Sequence, residues 1–354
     1  MKAFTNQTVG RGMAGWTAGL GLVFAALLLP VISLPAATAF SPATSLIRLA
    51  PGVTSREIQQ ALNSLPPAGG EVWLPAGQFK IVSPIVLRRS HQTLRGAGDA
   101  TILQLVAGAD CPVIIMGEPV NHPLHTVTHL QVIGLQIDGN RTRQDRELWR
   151  LTGEGSEIRN NGITIQDVSD SLVEHVTCAD CRSGGLVTTL GVTRLTVRGL
   201  SAYGNEFDGL ACYLTTDSLF ADLNLHDNPG AGISLDLSFD HNVISNASLT
   251  RNDLGIFMRA SRNNQFHNIT ISNSHHFGVF MAQADLSTPA GVQAAPATEC
   301  TRNSFTNLAA VECGSAAFRV NDLTCTNNVI IQPRFTVTAK GGLSEVGPNL
   351  VSVQ

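Results

Sequence analysis

Six short segments of this chain open on a glycine followed by an apolar alternation: Gly162-Ile-Thr-Ile, Gly185-Leu-Val-Thr, Gly209-Leu-Ala-Cys, Gly232-Ile-Ser-Leu, Gly255-Ile-Phe-Met and Gly278-Val-Phe-Met. The glycines fall 23, 24, 23, 23 and 23 residues apart. A period of that size over six copies marks an array in which each repeat leans only on its neighbours. Within each copy, short apolar alternations are broken by Asn, Asp, Gly and Ser, which is strand-and-turn chemistry. No helical pattern lies between the strands, so they must stack in parallel, coil on coil. The expected fold is all-β: a right-handed parallel β-helix.

The chain before the repeats fits the same plan. Residues 1–39 read as an export signal: Lys2 and Arg11 give a positive start, residues 19–34 are apolar and uncharged, and Ala37-Thr38-Ala39 fits a small-x-small cleavage site. The uncharged stretch 12–47 is also long enough for a retained membrane anchor, though Pro30 and Pro35 interrupt it. Either way the remainder, residues 40–354, is expected in the periplasm or outside the cell as one domain. Thr54, Glu57, the apolar Ile58, Ala61, Leu62 and Leu65, and Pro66-Pro67 spell a short amphipathic helix. A solenoid needs such a cap over its first open coil. The cap is placed at 54–68, the coils at about 70–332, and a C-terminal closure at 333–354.

Next come Gly69-Gly-Glu-Val-Trp-Leu-Pro-Ala-Gly-Gln-Phe-Lys-Ile, Pro84-Ile-Val-Leu and Gln92-Thr-Leu-Arg-Gly-Ala-Gly-Asp-Ala-Thr-Ile-Leu. Together with the helix before them, these segments resemble the N-terminal part of the pectate-lyase-like β-helix proteins, which include rhamnogalacturonase- and epimerase-like domains. The resemblance covers 53–140 by motif and continues to about 332 by repeat. It implies the fold and a carbohydrate-active role. It does not imply one reaction, because this scaffold carries lyases, hydrolases, epimerases and non-catalytic proteins. The family's better-known patterns are missing: there is no Asp-Pro-His-Asp/Glu, no Gly-His-Gly, and no lysine in the six repeats, since only Lys2, Lys80 and Lys340 occur.

Two insertions break the period. Residues 141–161 carry charges of both signs and Trp149, whose ring would serve either as a sugar platform or as packing over the next coil. Residues 284–299 are mostly Ala, Pro, Ser and Thr and read as a plain loop. The seven cysteines leave at least one unpaired within a monomer. Cys300-Thr-Arg-Asn-Ser-Phe and Cys325-Thr-Asn-Asn-Val-Ile align one coil apart, close enough for a disulfide, though the free thiols are an equal reading. Cys178 and Cys181 lack the partners of a zinc site.

Side chains alternate along each strand, so positions two and four after each glycine face outward. The fourth-position column reads Gln166, Thr189, Tyr213, Asp236, Arg259 and Ala282; the second reads Thr164, Val187, Ala211, Ser234, Phe257 and Phe280. Tyr213, Asp236 and Arg259 would thus stack beside the Phe257 and Phe280 shelf, side by side and facing solvent. For a uronic acid, Arg259 would pair the sugar carboxylate, Tyr213 would move a proton, and His275 or His276 on the leading turn would act as base. A plain surface ladder with ordinary turn histidines is the competing reading.

The expected function is therefore lyase or C5-epimerase chemistry on an acidic polysaccharide. A glycoside hydrolase using Asp236 and a non-catalytic glycan binder are the alternatives. Hydrolysis needs a second carboxyl roughly 5–10 Å away. Extended-strand spacing sets Asp208 roughly 16 Å off, leaving an acid from the first insertion to reach in. A net charge of −4 gives no footprint for nucleic acid. No cofactor is expected; the scattered Asp217, Asp222, Asp227 and Asp253 do not spell a calcium site. A monomer is expected.

Overall fold

The computed structural model describes residues 45–148, 158–284, 298–336, 338 and 341–354. The export segment, Trp149 and most of the second insertion lie outside the described residues. Three parallel sheets wind around a shared core. The first runs along twelve strands from Leu46–Arg48 to Val351–Val353. The second has ten, from Ile85–Leu87 to Leu343–Glu345, and the third six two-residue strands, from Val127–Thr128 to Ser261–Arg262. This is the β-helix, of about 12 turns with one short helix. Among the described residues no helix is long and apolar enough to cross a membrane.

The register is the one the glycine period dictates. Thr164, Val187, Ala211, Ser234, Phe257 and Phe280 pair in succession on the second sheet. Tyr213 pairs with Asp236, and Arg259 with Ala282. The inward column of Ile163, Leu186, Leu210, Ile233, Ile256 and Val279 is wholly buried. In the core Phe266 and Phe305 stack with centroids 4.3 Å apart, and Phe318 meets Phe305 edge-on at 5.1 Å.

Each coil closes because its corners adopt left-handed backbone. Asp167, Leu190, Leu214, Leu237 and Ala260, each one step past the fourth position, have φ between 43° and 58°. Such turns cost about 1–2 kcal/mol for an L-residue, and at the corners where His241, Asn263, Arg302 and Asn327 take the same conformation a buried asparagine ladder offsets that cost. Asn242, Asn264, Asn303 and Asn328 stack along one corner. Each of the last three lends its side-chain oxygen to the backbone N–H of the asparagine before it, at 2.9–3.1 Å. Asn205, Asn228 and Asn252 do the same at another corner. These asparagines hold the turns rather than a ligand.

The helix α1, Ser55–Ser64, opens with a capping box in which Thr54 and Glu57 exchange side-chain and backbone bonds. Its Ile58, Ala61 and Leu62 are buried over the first coil. The Gln59 side chain donates to the Val86 carbonyl at 3.0 Å and accepts the Val86 N–H at 2.7 Å, sealing the exposed strand edge.

The ladder makes a stability prediction. Asn264→Ala orphans the Phe239 carbonyl and the Asn242 N–H, both bonded to its side chain, and should cost about 2–4 kcal/mol by denaturant midpoint. Asn268→Ala, in the exposed ladder of Asn246, Asn268 and Asn307, should cost less than about 1 kcal/mol.

Candidate functional site

The outward face of the second sheet is roofed at its N-terminal end. Gln166 Nε2 donates to the carbonyls of Glu118 and Val120, holding that segment over the strand. Asn161 Nδ2 donates to Thr164 Oγ1 at 2.9 Å. Thr164, Gln166 and Thr189 are consequently buried although they point away from the core. The face becomes usable from Tyr213 onward.

Arg259 and Asp236 lie side by side: both Nε, at 2.9 Å, and Nη2 of Arg259 donate to Asp236 Oδ2. The expected solvent exposure does not hold for the acid, since Asp236 is only 2 % exposed. Its left-handed neighbour Leu237 turns the chain at once and donates its own N–H to Asp236 Oδ1 at 2.8 Å. Burial pushes the Asp236 carboxyl up, and Arg259 opposes the rise. The Arg259 side chain keeps 36 % of its surface exposed, and its guanidinium lies 5.2 Å from the Phe257 centroid. Asp236 therefore serves first to fix Arg259, the pairing that the ladder reading of the column contained.

Two charged residues from outside the fourth-position column act on Tyr213. Burial pushes the Tyr213 phenol up to about 12, with the charges of Arg159, Asp208, Asp236 and Arg259 all acting on it. Asp208 is pushed up to about 6 by burial, against the pull of the Ala231 N–H, 2.7 Å from Oδ1, and of Arg159. Strand spacing had set Asp208 apart from Asp236, yet both carboxyls act on one phenol. From the end of the first insertion comes a guanidinium, where an acid was the expectation. A charge-rich insertion was the only signal for Arg159; Asp208, immediately before Gly209, is weighed as a second carboxyl and set aside on strand spacing.

The other expected residues divide. Phe257 and Phe280 form a half-exposed stack, 5.9 Å between centroids and 7° from parallel. His275 and His276 lie on the exposed turn before Gly278, at the far end of the strand from the Arg259 column. His276 Nδ1 sits 2.6 Å from Asp253 Oδ1, and among the described residues neither histidine contacts Tyr213, Asp236 or Arg259. Trp149 lies outside the described residues. All seven cysteines are free; Cys300 and Cys325 meet as hydrogen-bonded thiols. Among the described residues no group of three or more His, Cys, Asp or Glu is arranged to hold a metal ion.

Two outcomes test this geometry. Arg259→Ala, which strands a buried carboxylate, should cost about 2 kcal/mol of stability by denaturant unfolding; Asp236→Asn in the same chain should recover part of it, as a double-mutant cycle would register. Asp208 holds its proton more tightly folded than at the ordinary 3.8. Its contribution to stability is thus present below pH ~4 and lost as pH rises towards 6. Asp208→Asn should flatten that slope. The lowered Asp170 and Asp227, both about 2, act only at lower pH.

No curated protein matches the chain. Solved structures do, at identities that speak for fold alone. The mannuronan C-5 epimerase AlgE4 A-module of Azotobacter vinelandii has 16 % identity and a TM-score of 0.56 over 86 % of this chain and 97 % of that one. The alginate lyase from Paenibacillus sp. str. FPU-7 has 12 % identity and a TM-score of 0.59, over 86 % and 99 %. ORF18 of Geobacillus virus E2 has 17 % identity and a TM-score of 0.64; 86 % of this chain is covered, spanning 61 % of that one. These likenesses bear out the pectate-lyase-like β-helix resemblance. A family model described as "Periplasmic copper-binding protein (NosD)" matches residues 124–342, more than half of the sequence, and the chain belongs to the NosD family.

Proposed function

We propose that this is an exported protein that acts on an acidic, uronate-containing polysaccharide by β-elimination or C5 epimerisation. The observation that carries this reading is the Tyr213 phenol, held protonated among two carboxyls and two guanidiniums on the outward face. The family's periplasmic description, together with the composition of residues 1–39, supports export. The epimerase and alginate lyase that share the fold support the substrate class. The family description also names copper. Among the described residues, which include all seven cysteines and ten histidines, no three His, Cys, Asp or Glu side chains converge, and burial pushes the Cys178, Cys181 and Cys212 thiols up. These side chains do not make a copper centre, and the chemistry proposed uses none.

In that chemistry Arg159 and the exposed part of Arg259 neutralise the sugar carboxylate, which acidifies the proton at C5. Asp208, charged above pH ~6, accepts that proton. In elimination the C5–H electron pair becomes the C4=C5 double bond, the C4–O bond breaks, and Tyr213 protonates the departing oxygen. In epimerisation Tyr213 instead returns a proton to C5 from the opposite face. Asp208 and the tyrosinate then exchange the proton and restore both groups. His275 and His276 are retained as assisting groups at the rim, where His276 is oriented by Asp253.

Hydrolysis is the second reading, and the raised Asp208 favours it. A carboxyl that stays protonated to about pH 6, acting on the same phenol as the arginine-paired Asp236, resembles an acid and base with separated pKa values. Incubation with pectin, alginate and glycosaminoglycans separates the readings. Ultraviolet absorbance rising with new reducing ends means elimination, and reducing ends alone mean hydrolysis. With both flat, NMR for epimerised uronate decides between epimerase and pure binding. Tyr213→Phe and Asp208→Asn should each lower kcat at least about a hundredfold, and Asp208→Asn should remove the limb of the kcat/KM profile near pH 6.

A further inference from the structure

Past Tyr213 the outward face changes character over the last coils. Phe277 leans on Phe280 at 5.3 Å with a 42° tilt, so three half-exposed rings form one shelf with Phe257. On the next coil Phe280 pairs with Arg319. Arg319 is half-buried and aimed by neutral acceptors: Nη1 donates to Ser344 Oγ at 2.8 Å and Nη2 to Asn321 Oδ1 at 3.3 Å. Arg194, Arg251 and Arg262 each grip an aspartate. Among the described residues no carboxylate pairs with Arg319. The acids around it are engaged elsewhere, Glu345 with the Val351 N–H and Asp322 with the Gln283 N–H.

We propose that Arg319, Phe280 and Phe277 form a second sugar subsite, in which Arg319 takes the carboxylate of a uronate unit and the rings take the apolar face of its pyranose. An uncompensated, pre-aimed guanidinium is a fork for a carboxylate, and an aromatic shelf beside it buries the C–H face that the sugar turns from water. The subsite lies two coils from Arg259, ~10 Å along the axis. A bound chain therefore runs parallel to the coil axis, one unit at Tyr213 and another over Phe280. This inference rests on the uronate reading for its ligand and extends it to residues that reading does not use.

The test is calorimetric titration of the protein with hexamers of mannuronate and galacturonate, a neutral cello-hexamer and a sulfated hexasaccharide. Arg319→Ala and Phe280→Ala should each weaken uronate binding about tenfold, with Arg319→Lys in between. Arg198→Ala, on the exposed side of the first sheet, should bind as the wild type does, and raising salt should weaken the wild type more than Arg319→Ala. Uronate binding that Arg319→Ala leaves intact overturns the subsite while the catalytic reading stands. Should the wild type bind no uronate, or bind the neutral or sulfated chain as tightly, the ligand class is wrong and both readings fall. Melting curves for each variant separate lost binding from lost fold.

Discussion

The corner is the interaction on which this molecule depends. A parallel coil can stack indefinitely only if every turn brings the chain back in register, and here that return is made in part through left-handed residues such as His241, Asn263 and Arg302, each just before a ladder asparagine. Those conformations are costly in isolation. They persist because buried asparagines satisfy the turn's backbone groups and pass the bond to the next coil. Strand pairing then follows, and a core of large apolar side chains fills the space enclosed. Stability in such an array is a sum of neighbour terms, so a broken ladder bond is felt by both adjoining coils.

The candidate site is a consequence of burial at one stretch of an otherwise regular surface. A bare sheet face would leave Tyr213 and Asp236 in water, with ordinary ionisation. Burial lowers the local dielectric, raises the phenol and both carboxyls, and gives the guanidiniums of Arg159 and Arg259 a stronger hold on their surroundings. Asp236 and Arg259 show the division this creates: the acid is spent on positioning, and the base keeps an exposed edge over Phe257.

Much of this was legible in the sequence. The glycine spacing set the register, and the register put Asp236 next to Arg259 and Phe257 next to Phe280 without any structural knowledge. The helix and its capping box were equally readable from Thr54 and Glu57. What the period does not carry is anything lying above the sheet. It says where strands are, but not that the segment at Glu118 and the end of the first insertion roof the early coils. The approach of Arg159, at the end of that insertion, was invisible for that reason. Asp208 is set aside because strand arithmetic measures backbone, whereas the long Tyr213 side chain brings its hydroxyl into the field of an acid several positions back.

The left-handed residues one step past the fourth position have another side to them. Each sets the direction in which the preceding side chain leaves the strand, so the aim of Tyr213, Asp236 and Arg259 is fixed by Leu214, Leu237 and Ala260. Heritable information is thereby partitioned: strands encode persistence of the scaffold, corners and outward columns encode chemistry. A lineage built this way is free to rewrite its surface one coil at a time, trying new reactivity without renegotiating the architecture beneath it.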